Sequence, residues 1–173
     1  MNVHDKKFQF AQNKKRSISE FNKHEIYGFI ITNFLQVEYK VDDIILVYTE
    51  PNNKEFFKKY ILNTSILPFG NKLKLLMNIM RLNGMTEKSI TDELKPIRKL
   101  NSIRNAFAHT NANLSISGSF DEENKKHEIT EISEVLNVMN NNSKITGHKI
   151  NVLAIEFVDL FHELIDNGIK TKP

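Results

Sequence analysis

The chain has 173 residues, of which 40% are hydrophobic and 26% are charged, and its formal net charge at pH 7 is +3. This length and composition predict one globular domain with a real core, because 173 residues are too few to expect two domains. The absence of cysteine excludes disulfides, thiolate metal sites and cysteine nucleophiles. The mild positive charge permits a nucleic-acid partner without requiring one.

No part of the sequence reaches the ~20 consecutive apolar residues that a membrane span requires. The first seven residues are not followed by the apolar core of a signal peptide, so we expect a cytoplasmic protein with no membrane partner. Residues 1–16 carry five basic side chains and predict a basic, poorly ordered leader whose charges are solvated. A single domain is then expected over residues 17–168.

The first helix is predicted by a capping box and a long apolar stripe. Ser17 and Glu20 form the Ser-x-x-Glu pattern of a helix start. The stripe that follows has spacings of 3 and 4: Tyr27, Ile30, Phe34, Val37, Val41, Ile44 and Tyr48. It predicts one helix to about Glu50, although a break near Tyr39 also fits. Further apolar residues beside the stripe widen it beyond a coiled-coil seam, so we expect a central bundle helix.

Two shorter helices are predicted next. Lys54–Asn63 has one apolar side, made of Phe56, Phe57, Tyr60 and Ile61. After a turn at Pro68, apolar residues spaced 4, 3 and 4 predict a third helix ending near Asn83 and Gly84: Phe69, Leu73, Leu76 and Met80. Such stripes are far more often core than ligand pocket.

A fourth helix is predicted to open near Thr86 and to end near Thr110. Its apolar stripe consists of Ile97, Leu100, Ile103 and Phe107. Pro96 lies just before this stripe and predicts a kink or a new helix start, because proline in a helix interior costs ~3 kcal/mol.

The remaining chain predicts a small β-hairpin and a last helix. Residues 114–117 and 128–132 alternate apolar and polar side chains, as strands do. A polar loop at 140–143 precedes a helix that ends at Asn167 and Gly168, with the stripe Ile150, Leu153, Phe157, Leu160 and Leu164. The predicted fold is therefore mainly α-helical: a compact up-and-down bundle of about five helices, with a hairpin at about 114–132.

Three polar residues near the end of the fourth helix are the candidate site. At 100° per residue, Asn105 and His109 share one helix face, whereas Arg104 points about 140° away from His109. An imidazole can take or give a proton near neutral pH, and a guanidinium offers a fork of donors that fits a phosphate. A two-fold dimer would present both groups twice in one cleft.

The sequence Arg104-Asn105-Ala106-Phe107-Ala108-His109 resembles the R-x(4–6)-H motif of the HEPN superfamily. Together with Leu67–Leu76 it looks like the mannitol-repressor-like branch, and the likeness covers about residues 20–165. The resemblance implies a helical homodimer that acts as a metal-independent, cofactor-free endoribonuclease in a toxin–antitoxin or phage-defence system. Other members of the group are regulators without shown catalysis.

In the nuclease hypothesis, a ribose 2′-hydroxyl attacks the neighbouring phosphate. His109 serves as general acid or base, Arg104 as phosphate clamp and Asn105 as orienter. Lys95, Arg98 and Lys99 either extend a phosphate-binding track toward Arg104 or are solvated surface charges. Spacing alone favours the simpler interpretation, in which Arg104 is an ordinary salt-bridging residue and Asn105 and His109 lie on an ordinary exposed face.

Two further functions remain open. One is a non-catalytic dimeric regulator or stress-response protein that acts through a protein partner, because nothing in the sequence resembles a helix-turn-helix. The other is a toxin silenced by a nucleotidyltransferase-type antitoxin. No metal site is predicted, since His162 and Glu163 lack the second histidine of a zinc helix, and no phosphate-binding glycine motif is present.

Overall fold

The computed structural model describes residues 22–109, 113–121, 126–139 and 145–172. The predicted leader, the Ser17–Glu20 capping box and the loop at 140–143 lie outside these ranges. Within them, the α-helices are α1 (Lys23–Thr49), α2 (Lys54–Phe56), α3 (Phe69–Leu82), α4 (Glu87–His109) and α5 (Ile150–Asn167). The strands are β1 (Asn113–Asp121), β2 (Lys126–Met139) and β3 (Ile145–Lys149). The fold is mainly helical with a small antiparallel sheet, as predicted.

Helix α1 begins with a capping box at Asn22 and Glu25, which was not predicted. The Glu25 N–H donates to the Asn22 side chain at 3.0 Å, and the Asn22 N–H donates to Glu25 Oε2 at 3.0 Å. The helix runs without interruption past Tyr39 and ends at Thr49, where Glu50 adopts a left-handed conformation with φ of 39°. The alternative of a break near Tyr39 is therefore wrong.

The hydrophobic core is built from the stripes that the sequence predicts on α1, α3, α4 and α5. Buried members of these stripes include Ile30, Phe34, Leu73, Leu76, Ile97, Leu100, Ile103, Phe107, Leu153 and Phe157. Helix α1 packs against α3, α4 and α5. It is thus the central helix, as predicted.

The segment after α1 differs from its prediction. Helix α2 continues directly into a π-helical turn, Phe57–Ile61, so a helical segment is present at the predicted position. Only Phe57 of its apolar side packs against the core, because Phe56, Tyr60 and Ile61 are exposed. The segment is anchored instead by the buried Leu62 and by an ion pair of 2.7 Å between Lys58 and Asp43 of α1.

Helix α4 is one continuous helix with Pro96 inside it. No new helix starts at Pro96. Leu94 and Ile97, on either side of the proline, are both fully buried. Their packing offsets the cost of a lost backbone hydrogen bond, because tertiary packing supplies most helical stability in proteins. The helix ends at His109, as predicted.

The sheet is antiparallel with the strand order β1-β2-β3. The predicted hairpin is present, with Ile116 opposite Ile132 and a register shift between Ser117 and Gly118. The third strand, which pairs Met139 with Ile145, was not predicted. Strand β2 lies against α4 and α5, and it buries Leu136 and Val138 on the face that alternate residues of a strand share.

Candidate functional site

The predicted catalytic residues lie in the last two turns of α4. Asn105 and His109 are exposed there, on the face that their spacing of four residues predicts. Arg104 points toward α1, and its side chain is 19% exposed. Within one chain, the Arg104 guanidinium therefore does not lie on the helix face that carries the Asn105 amide and the His109 imidazole.

Two side chains of α1 hold the Arg104 guanidinium. Its Nη2 donates to Glu38 Oε1 at 3.3 Å, and its central carbon lies 4.7 Å from the centroid of the Phe34 ring. The Phe34 ring in turn makes an edge contact with Phe69 of α3, with 5.0 Å between the ring centroids. An ion pair and a cation–π contact together restrict the guanidinium to one orientation.

Glu38 is a buried carboxylate, 7% exposed, that accepts two hydrogen bonds from different parts of the chain. Its Oε1 faces Arg104, and its Oε2 accepts the Thr64 hydroxyl at 3.1 Å. Thr64 belongs to the segment that follows the π-helical turn. The orientation of Arg104 is therefore set jointly by α1 and by the chain between α2 and α3.

A second buried ion pair lies one turn further along α1. Lys72 of α3 is 1% exposed, and its Nζ lies 2.9 Å from each carboxylate oxygen of Asp42. Only Oδ2 has hydrogen-bond geometry with the ammonium, and among the described residues Oδ1 has no hydrogen-bond donor. The two buried acidic residues of α1, Glu38 and Asp42, thus face two cations, Arg104 and Lys72.

Burial raises the pKa of Asp42 above its ordinary value, since desolvation outweighs the opposing effect of Lys72, and the nearby Glu38 raises it further. The folded state consequently holds this proton more tightly than the unfolded chain does. Protonation of Asp42 therefore contributes to the free energy of unfolding, and this contribution is fully present below the ordinary pKa of an aspartate, about 3.9. The contribution is lost as pH rises through the raised pKa of Asp42.

Sequence reasoning missed Glu38, Asp42 and Lys72. A signal for them existed: Lys72 follows Phe69 by three residues and so falls on the apolar stripe of α3, where a lone lysine requires a buried partner. Glu38 and Asp42 are four residues apart and directly follow the buried Val37 and Val41 of α1. Charged residues inside the apolar stripes of two helices predict buried ion pairs when one helix contributes acidic side chains and the other basic ones.

The three basic residues before the motif do not form one track with Arg104. Lys95 is exposed, the Arg98 Nη2 lies 3.2 Å from Met77 Sδ of α3, and Lys99 pairs with Glu156 of α5 at 3.2 Å. On a helical rotation of 100° per residue, Lys95 lies about 180° from Arg104. The same rotation places Lys95 and Arg98 on the face of Asn105 and His109.

Among the described residues, no group of three or more histidine, cysteine, aspartate or glutamate side chains is arranged to hold a metal ion. No helix in the described ranges has the length and apolarity needed to cross a membrane. No family model, curated protein or solved structure matches the chain.

Proposed function

We propose that the chain is a HEPN-like, metal-independent endoribonuclease whose active site forms where two copies meet. One observation carries the proposal: Asn105 and His109 are exposed on one face at the end of α4, while the neighbouring Arg104 is held in a fixed orientation. An exposed imidazole and a fixed guanidinium are the two groups that phosphodiester cleavage by a 2′-hydroxyl requires.

His109 is the group that exchanges protons. As general base it takes the proton of the ribose 2′-hydroxyl, and as general acid it gives a proton to the departing 5′-oxygen. The products are a 2′,3′-cyclic phosphate and a 5′-hydroxyl, and no bond forms to the protein. Asn105, one turn earlier on the same face, orients the attacked phosphate or the imidazole through its amide.

Arg104 stabilises the negative charge that builds on the phosphate oxygens. A guanidinium carries five N–H donors, and the described bond to Glu38 uses one of them. Because Arg104 and His109 diverge by about 140° around one helix, a single protomer presents them to different sides. A two-fold axis beside α4 would bring the arginine of one protomer toward the histidine of its partner.

The setting of this activity follows from the same resemblance. We place the enzyme in a toxin–antitoxin or phage-defence system of the cytoplasm, with RNA as substrate and with a protein antitoxin of the nucleotidyltransferase type as its regulator. Lys95 and Arg98 lie on the same helix face as His109 and would contact phosphates of the bound strand.

The second candidate is a non-catalytic dimeric regulator, similar to the mannitol-repressor-like branch, that acts through a protein partner. The ion pair between Arg104 and Glu38 favours this candidate, because a purely structural arginine makes such a contact. The two candidates differ in one respect that can be measured. Only the nuclease requires His109 to turn over RNA.

The test incubates the purified protein with mixed cellular RNA in EDTA, beside His109→Ala, Arg104→Ala and the control His162→Ala. His162 is an exposed histidine on α5, outside the proposed site. We expect the parent and His162→Ala to cleave RNA, and the His109 variant to lose on the order of 10²–10⁴ in rate. Absence of cleavage by the parent favours the regulator.

A further inference from the structure

The exposed aromatic side of the segment after α1 is a surface that the bundle leaves uncovered. Phe56 is 54% exposed and Tyr60 is 51% exposed, although both were predicted to face the core. Their ring centroids lie 5.1 Å apart with an interplanar angle of 39°. Two adjacent π-faces are therefore presented together, one helical turn apart.

The backbone beneath these rings has an unusual form. The residues from Phe57 to Ile61 form a π-helical turn, closed by the Leu62 N–H, which donates to the Phe57 carbonyl at 2.9 Å. Single π-helical turns are rare and occur frequently at functional sites. The buried Leu62 fixes the end of this turn in the core.

The exposed charged residues next to the two rings in the sequence are three lysines and one acidic residue: Lys54, Glu55, Lys58 and Lys59. The Lys59 ammonium lies 5.1 Å from the centroid of the Tyr60 ring, and Lys54 is exposed at the start of the segment. Lys58 is the exception, because its charge is neutralised by Asp43. Lysine is depleted in the cores of protein–protein interfaces, so this composition fits a polyanion better than an apolar protein partner.

The surface is linked to the candidate site through one carboxylate. Thr64, four residues after Tyr60, donates to Glu38, and the same carboxylate accepts the hydrogen bond from Arg104. The segment that carries the rings therefore ends at the group that orients Arg104.

We infer that Phe56 and Tyr60 form a stacking surface for two bases of single-stranded RNA, with Lys54 and Lys59 contacting its phosphates. Base–aromatic stacking accepts any base, because every base has a π-face. The inference rests on the proposed function for the identity of the nucleic acid. It adds a binding surface, on a different element, that the Arg104–His109 motif does not include.

Binding is tested with a fluorescein-labelled 12-mer of uridine, followed by fluorescence anisotropy at low and moderate salt. The protein carries His109→Ala, so that the RNA stays intact. Phe56→Leu and Tyr60→Leu keep apolar bulk but remove the π-face, and we expect each to weaken binding on the order of 10-fold. Phe56→Tyr and Tyr60→Phe keep the rings and should bind as the parent does.

The lysines are tested through the salt dependence. Lys59→Gln is expected to weaken binding and to reduce the slope of log K against log salt by about one. Lys172→Gln, an exposed lysine near the end of the chain, is the matched control and should leave the slope unchanged. Circular dichroism checks that each variant is folded.

Parent-like binding by the double variant Phe56→Leu, Tyr60→Leu would overturn the inference, as would absence of binding by the parent at low salt. A change in oligomeric state of that variant without loss of RNA binding would also overturn it, because the rings would then be an interface between copies. Failure of the proposed function has a different signature. The protein with His109 intact would bind the 12-mer through these rings without cleaving it.

Discussion

Arg104 shows how one residue can serve both interpretations of its motif. Its contacts with Glu38 and Phe34 are those of a structural ion pair, and the same contacts hold a guanidinium in a fixed direction near the end of α4. A side chain that stacks on an aromatic face loses little rotamer freedom when a ligand arrives. The contact with Phe34 therefore fits a guanidinium that binds a phosphate, whereas the ion pair with Glu38 favours a structural role.

The contribution of Glu38 to this arrangement can be measured by Glu38→Gln. The amide keeps the shape of the side chain but removes the charge opposite a mostly buried guanidinium, so we expect the free energy of unfolding to fall by about 1–2 kcal/mol. Urea denaturation gives this value. The control Glu163→Gln changes an exposed residue of α5 and should stay within about 0.5 kcal/mol of the parent.

Equal stability of the two glutamine variants would show that the Arg104–Glu38 pair contributes nothing to the fold. The orientation of Arg104 would then depend on Phe34 alone.

The environment of Asp42 leads to a prediction about its pKa that can be measured. Burial raises its pKa, and Lys72 opposes the rise. We expect the carboxyl carbon of Asp42, followed by NMR, to titrate above the ordinary aspartate value of about 3.9, and Lys72→Met to move the midpoint higher still. A midpoint at or below 3.9 in the parent would mean that the ion pair dominates desolvation.

At the scale of elements, apolar periodicity predicted the helices that carry the core. The stripes on α3, α4 and α5 are long enough to distinguish a period of 3.6 from 2, and they place Leu76, Ile103 and Phe157 correctly inside. The capping box at Asn22 was not predicted, and the one predicted at Ser17 and Glu20 lies outside the described residues.

The elements that were missed carry little periodic signal. Strand β3 is five residues long and contains Gly147, so its place in the sheet depends on pairing with β2 and not on its own side chains. The exposed side of the segment 54–61 has the aromatic composition of a core-facing helix. Sequence pattern alone does not distinguish a buried aromatic face from an exposed one.

Pro96 allows a prediction at this scale. Because α4 continues through the proline, Pro96→Ala should restore a backbone hydrogen bond, relieve a ring clash and raise the free energy of unfolding by about 1–3 kcal/mol. Lys88→Ala, an exposed position on the same helix, controls for a general gain in helix propensity. No gain beyond that of the control would show that the fold has relaxed around the proline.

For the whole molecule, the candidate site could be predicted in part. The spacing of the residues correctly predicted that Asn105 and His109 lie on one helix face and Arg104 on another, because a regular helix fixes the direction of each side chain. It did not identify Glu38 as the partner of Arg104, since the two residues are 66 positions apart in the chain. Pairing over such a distance depends on how α1 packs on α4.

Because Arg104 and His109 point in different directions, the proposed active site requires a dimer. A single chain presents an imidazole on the outer face of α4 and a guanidinium toward α1. The proposed site therefore requires a second copy beside the helix face of α4 that carries Asn105 and His109. We propose that this surface, completed by the partner, cleaves RNA through the 2′-hydroxyl.

The most direct measurement of that claim uses a DNA 12-mer that contains one ribonucleotide, in EDTA, with product ends identified by mass spectrometry. We expect the parent and His162→Ala to cut only on the 3′ side of the single ribose, leaving a 2′,3′-cyclic phosphate and a 5′-hydroxyl, and His109→Ala to leave the strand intact. An uncut strand with the parent, cleavage of an all-DNA strand, or equal cleavage by His109→Ala would contradict the account.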